Sequence, residues 1–79
     1  MRILDVRHNA ALREVCLYLT RAEAADLKGS LEQLLEQPAL HHCHVYDESY
    51  AKEITVTIYD NANLESFDER SRKLIVEDK

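Results

Sequence analysis

A helix start signal directly after a strand-like segment constrains the fold of this sequence more than any other feature. Thr20-Arg21-Ala22-Glu23 has the pattern of a capping box, in which the Thr20 hydroxyl and the Glu23 carboxylate each accept a hydrogen bond from the other residue's amide. Behind this signal, leucines and alanines recur at steps of three and four residues, and Pro38 ends the pattern. The pattern predicts an amphipathic helix over residues 21–36 that contains the single glycine, Gly29.

Four segments around this helix have the composition of β-strands. Alternation of apolar and polar residues is strictest over residues 53–59, and residues 40–46 form the predicted hairpin partner, joined by a loop over residues 47–52. Residues 2–7 and 12–19 predict a second hairpin, with a turn over residues 8–11 where Asn9 tolerates a left-handed backbone.

A second capping box at Ser66 and Glu69 predicts another helix near the end of the chain, although residues 73–76 also fit a short final strand. The resulting order is β-β-α-β-β-α. Two hairpins separated by a helix predict an α+β fold, a single antiparallel β-sheet with two helices on one face. The sequence leaves the strand order open.

Length and charge limit what the chain can be. Seventy-nine residues predict one domain over residues 1–79, and a domain this small gains from burying more surface in a homodimer. The net charge is −5 and the basic residues are scattered, which argues against a nucleic-acid partner. Without an apolar stretch of membrane-spanning length or a signal peptide, and with two cysteines outside any C-x-x-C pair, we expect a soluble, reduced cytoplasmic protein.

Strand alternation separates the predicted sheet into two faces. The core face is predicted to hold Val15, Leu17, Leu19, Cys43, Val45, Ile54, Val56 and Ile58. The opposite face is rich in tyrosine, histidine and threonine, which have an apolar body and a polar tip and suit half-dry interfaces. This predicted interaction face comprises Tyr18, His42, His44, Tyr46, Thr55, Thr57 and Tyr59. Strand-forming residues on a solvated face are the alternative explanation.

The segment His41-His42-Cys43-His44 raises the question of a metal site. On a strand, only His42 and His44 share a face, and the candidates for a third ligand from another strand are Cys16, Glu14 and Glu53. Closed metal sites usually show two close-spaced ligand pairs, and this sequence has one. We therefore expect no metal, and keep a metal-binding or metal-sensing domain as the alternative function.

Catalytic chemistry finds little support in the sequence. Phosphate-binding loops need several glycines, which this sequence lacks. Strand geometry directs His42 and His44 away from Cys43, which leaves a cross-strand pair with His8 as the remaining thiol–histidine arrangement. So short a chain also has little volume for a substrate pocket. We expect neither an enzyme nor a cofactor.

The stretch from Leu17 to Leu27, together with the strand-like run from Glu53 to Tyr59, resembles short uncharacterised bacterial proteins, some of them similar to immunity proteins that neutralise a toxin. The resemblance implies a small, acidic, cytoplasmic protein that acts by binding, and it assigns no functional residue. The function predicted from the sequence is a small non-enzymatic protein–protein interaction module, with an immunity-like inhibitor as its most specific form.

Overall fold

The computed structural model describes residues 1–79, apart from the side chain of Pro38, and these residues contain four short strands and two helices. In chain order they are β1 (Ile3–Asp5), β2 (Ala10–Leu12), α1 (Arg21–Glu36), β3 (His42–Tyr46), β4 (Glu53–Thr57) and α2 (Glu69–Glu77). Short 3-10 turns cover Pro38–Leu40 and Leu64–Ser66. The predicted α+β class and the order β-β-α-β-β-α are confirmed.

The described strands form two separate antiparallel sheets, β1–β2 and β3–β4, in place of the predicted single sheet. The difference comes from residues 12–19, where the predicted strand is wrong because β2 ends at Leu12. Since Ile3 pairs with Leu12, a longer hairpin would set Arg2 opposite Arg13, and like charges in that position destabilise a strand pair. The predicted single sheet is therefore wrong for the described residues.

The chain divides into two compact units. The central unit is Tyr18–Ile58, and the terminal unit combines Met1–Leu17 with Tyr59–Lys79. The central unit therefore holds α1, β3 and β4, whereas the terminal unit holds β1, β2 and α2. One domain for the whole of residues 1–79 stays a prediction.

The core of the central unit forms where α1 packs against β3. Leu34 of α1 and Val45 of β3 are its buried side chains among the described residues, and Cys43, Ile54 and Val56 are half-buried. This part of the predicted core face is confirmed. The predictions for Val15, Leu17, Leu19 and Ile58 are wrong, because these residues lie outside the strands and remain exposed.

The terminal unit is held together by contacts between its two segments. The Arg2 Nε donates hydrogen bonds to the carbonyl oxygens of Leu74 (3.0 Å) and Ile75 (3.1 Å), near the end of α2. Leu74 is the buried hydrophobic residue of this unit within the described part of the chain. Asp68, and not Ser66, caps α2, because its carboxylate accepts from the Ser71 amide while Ser66 lies in the preceding 3-10 turn. The alternative strand over residues 73–76 is wrong.

Candidate functional site

The β3–β4 hairpin presents a polar and aromatic face on the central unit. In the observed register, His42 lies opposite Thr57, His44 opposite Thr55 and Tyr46 opposite Glu53, and all six side chains are exposed. We call these six residues the outer face. Five of them belong to the predicted interaction face, and the structure therefore brings His42, His44, Tyr46, Thr55 and Thr57 together.

The two remaining tyrosines of the predicted face lie elsewhere in the fold. Tyr18 is in the segment between β2 and α1, and Tyr59 follows β4 and belongs to the terminal unit. Both were assigned to the face by extending strand alternation beyond the real ends of the strands. Neither therefore has a register position on the β3–β4 hairpin.

Aromatic rings form a row along the outer face. Ring centroids are separated by 4.9 Å between His42 and His44, by 6.2 Å between His44 and Tyr46, and by 5.6 Å between Tyr46 and Tyr50. Tyr50 was missed by the sequence reasoning, because it lies in the loop after β3 and adopts a positive φ of 57°. That conformation is uncommon outside glycine and asparagine, and alternation gives no signal for it.

Neighbouring polar groups hold His44 in place. Its Nδ1 is 2.9 Å from the Thr55 Oγ1 and 3.4 Å from a Glu53 carboxylate oxygen. A histidine held through Nδ1 can still bind a metal ion through Nε2, and these contacts therefore do not decide the question of a metal site. Of the predicted third ligands, Cys16 and Glu14 are exposed residues of the terminal unit, whereas Glu53 lies beside His44. The described residues contain no group of three or more histidine, cysteine, aspartate or glutamate residues suited to a metal ion.

A groove of about 570 Å³ lies beside β3 in the central unit. One wall is the first half of α1, and the other is β3 with the loop that follows it. Its lining comprises Ala22, Glu23, Ala25, Asp26, Gly29, Ser30, His44, Val45, Tyr46, Asp47, Glu48 and Tyr50. Apart from His44 and Tyr46, none of these residues belongs to the interaction face predicted from the sequence.

Two carboxylates of this groove are held by backbone amides. Hydrogen bonds from the Thr20 amide (2.9 Å) and the Glu48 amide (3.1 Å) lower the pKa of Glu23 below its ordinary value of 4.5. The Lys52 amide, the Ser49 hydroxyl and the Ala51 amide likewise lower the pKa of Asp47. Both groups are therefore negatively charged at neutral pH.

Comparison with known proteins gives no family for this chain. No protein-family model matches the sequence, and no curated protein or solved structure matches it either. The helices of the described chain are also too short and too polar to cross a membrane.

Proposed function

We propose that this chain is a non-enzymatic module that acts by binding another protein through the outer face of the β3–β4 hairpin. The observation that supports this most directly is the exposed row of histidine and tyrosine rings on one side of a sheet. Tyrosine is enriched in protein interfaces because its ring buries a large apolar area while the hydroxyl still finds a polar partner.

The composition of the outer face is the second support. Its six residues include no lysine and one glutamate, both of them residue types that interfaces deplete. The two threonines of β4 add short side chains that fit a flat contact. The inner face of the same strands carries the half-buried and buried residues, which leaves the outer face available for a partner.

A second copy of the chain is the first partner we propose. Only three hydrophobic side chains are buried among those described, Leu34, Val45 and Leu74, and so small a core gains stability from any further apolar contact. A more specific form of the proposal is an immunity-like inhibitor in the cytoplasm, whose net charge of −5 steers it towards a basic protein.

Sedimentation analysis of the whole chain at neutral pH tests the self-association. We expect a dimer that becomes monomeric in Tyr46→Glu and in Thr57→Glu, because each places an additional carboxylate within the contact, one at either end of the outer face. The matched control is Leu35→Glu, which adds the same charge at an exposed position of α1 and should leave the dimer intact. A dimer that survives both outer-face variants lies on another surface, and a monomer at all concentrations leaves only a different protein as partner.

A metal-binding or metal-sensing function through His42 and His44 stays a prediction from the sequence. The short distance between the two rings agrees with a chelating pair. No group of three or more histidine, cysteine, aspartate or glutamate residues in the described part of the chain is arranged to hold a metal ion, and the pair therefore carries no second proposal.

A further inference from the structure

The groove beside β3 runs along the edge of the strand. Three consecutive strand residues, His44, Val45 and Tyr46, line it, and no residue of β4 does. Since consecutive strand residues point to opposite faces, a groove that contacts all three lies along the strand edge that β4 leaves open. Among the described strands, β4 alone pairs with β3.

The register shows which backbone groups of β3 point into that open edge. The Asp47 amide donates to the Lys52 carbonyl oxygen at 3.0 Å, which makes this the last hydrogen-bonded pair of the hairpin. Hydrogen-bonded and non-hydrogen-bonded pairs alternate along an antiparallel ladder, and Val45–Ile54 is therefore the next bonded pair. It follows that His44 and Tyr46 direct their N–H and C=O groups away from β4.

The opposite wall of the groove leaves room for another chain. It is built from small residues of α1, including Ala22, Ala25 and Gly29. A Cβ atom built on Gly29 would meet no other heavy atom within 4 Å, which shows that this glycine does not serve close packing. The volume of about 570 Å³ lies in the range of sites that hold a ligand, roughly 300–1,000 Å³.

Charge identifies the chemistry that suits this space. Four carboxylates line the groove, those of Glu23, Asp26, Asp47 and Glu48, and no lysine or arginine is among the lining residues. Tyr46 and Tyr50 line the same groove, with their ring centroids 5.6 Å apart, and tyrosine faces attract cations. A positively charged ligand therefore complements the groove, and a second copy of this acidic chain is a poor occupant.

We propose that β3 accepts an extended, lysine- or arginine-bearing segment of a partner protein as a third strand, seated in the groove between β3 and α1. Main-chain hydrogen bonds to His44 and Tyr46 would supply affinity, and the carboxylates would select basic side chains. This inference rests on the proposed protein-binding function and specifies what the partner presents.

Fluorescence anisotropy with the whole chain and a labelled six-residue peptide of alternating lysine and valine tests the inference. Two further peptides carry N-methyl groups, one on the lysine amides and the other on the valine amides. Only alternate amides of an added strand face β3, and we therefore expect one methylated peptide to bind about tenfold more weakly while the other is unchanged. A peptide of alternating glutamate and valine should not bind.

Gly29→Leu tests the position of the peptide. Leucine fills the open groove, and because it is a better helix former than glycine, the substitution should not unfold α1. The matched control is Gln33→Leu, at an exposed position of the same helix outside the groove lining. We expect Gly29→Leu to weaken binding about tenfold or more, and Gln33→Leu to leave it within about twofold.

The outcomes separate this inference from the proposed function. The edge site is wrong if the lysine peptide does not bind. It is also wrong if the two methylated peptides bind with equal affinity, or if Gly29→Leu binds the lysine peptide as tightly as the parent chain does. In that case a dimer that depends on Tyr46 and Thr57 would still support the outer face. If the chain is monomeric but binds the lysine peptide, and binding weakens with one methylated peptide and with Gly29→Leu, the edge site is supported and only self-association is contradicted.

Discussion

The residues that start α1 show how much a local signal can determine. Thr20 caps the helix and forms both bonds of the capping box, with the Glu23 amide donating to the Thr20 hydroxyl at 3.1 Å. All atoms of this motif lie within four residues, and the sequence therefore predicted them. The second bond to the Glu23 carboxylate, from the Glu48 amide at 3.1 Å, joins residues far apart in the chain and could not be predicted.

Removing the cap should cost about 1 kcal/mol of unfolding free energy. In Thr20→Ala the Glu23 amide loses its acceptor, and the loss of an N-cap hydroxyl typically destabilises by roughly that amount. Urea denaturation at neutral pH measures the change. Thr57→Ala, an exposed threonine on the outer face, is the control and should cost less. Equal effects of the two substitutions would contradict a stabilising role for the cap.

The dependence on pH separates the carboxylate from the hydroxyl at this cap. Because the pKa of Glu23 is lowered in the folded chain, its contribution is fully present above the ordinary value of 4.5 and is lost as pH falls through the lower folded pKa. Glu23→Gln should therefore be less stable than the parent chain at neutral pH, and this difference should shrink as pH falls through the acidic window. Denaturation curves recorded at successive pH values measure the difference. A constant difference would contradict the charged interaction.

The wrong prediction of Ser66 as the cap of α2 also has a local explanation. Ser66 and Glu69 satisfy the capping-box pattern, but Asp68 lies between them and is itself a strong N-cap residue. The two start signals are two residues apart and cannot both begin the helix, and Ser66 belongs to the 3-10 turn Leu64–Ser66. The capping-box pattern does not include the preceding turn, and it therefore could not predict which residue caps α2.

Single elements were predictable where one face of the element is buried. The exposed and less exposed residues alternate along β3 and β4 in the predicted phase. Residues 13–19 alternate as well, but they have no partner strand, and Val15 and Leu17 are 54% and 51% exposed. Alternation is a necessary property of a half-buried strand, and it contains no information about whether a partner is present.

Two neighbouring leucines of α1 allow a matched test of its packing. Leu34 is 4% exposed and Leu35 is 72% exposed. We expect Leu34→Ala to cost roughly 2–5 kcal/mol, because it removes buried methyl groups and leaves a cavity. Leu35→Ala should change stability by less than about 0.5 kcal/mol. Chemical denaturation measures the unfolding free energy of both variants. Similar losses of unfolding free energy in the two variants would show that α1 packs through another face.

At the scale of the whole molecule, the sequence predicted the class and the order of elements but not their grouping. Which strands share a sheet depends on contacts between distant segments, and short-range patterns do not record them. The edge groove was missed for the same reason, since it needs α1 and β3 side by side. Gly29 was the one available signal, because a glycine within a helix costs about 1 kcal/mol relative to alanine and is therefore unusual there.

The contact between the ends of the terminal unit should stabilise α2. Arg2→Met keeps most of the side-chain length but removes the donors to Leu74 and Ile75 and the charge near Asp78. We expect faster amide hydrogen exchange in α2, corresponding to about 1 kcal/mol, because a cation at a helix C-terminus is also favourable. Arg13→Met, an exposed arginine after β2, is the control. Unchanged amide exchange in α2 would mean that the Arg2 contact does not contribute to the stability of this helix.

The same contact affects how the chain folds on the ribosome. Domains generally fold as units during synthesis, but the terminal unit needs both Arg2 and the segment that contains α2. Because synthesis adds roughly 5–20 residues per second, β1 and β2 leave the ribosome seconds before the segment that contains α2 has been synthesised. The central unit, although it begins later in the sequence, is complete first. The apolar residues of the first segment are therefore exposed to chaperones throughout that interval.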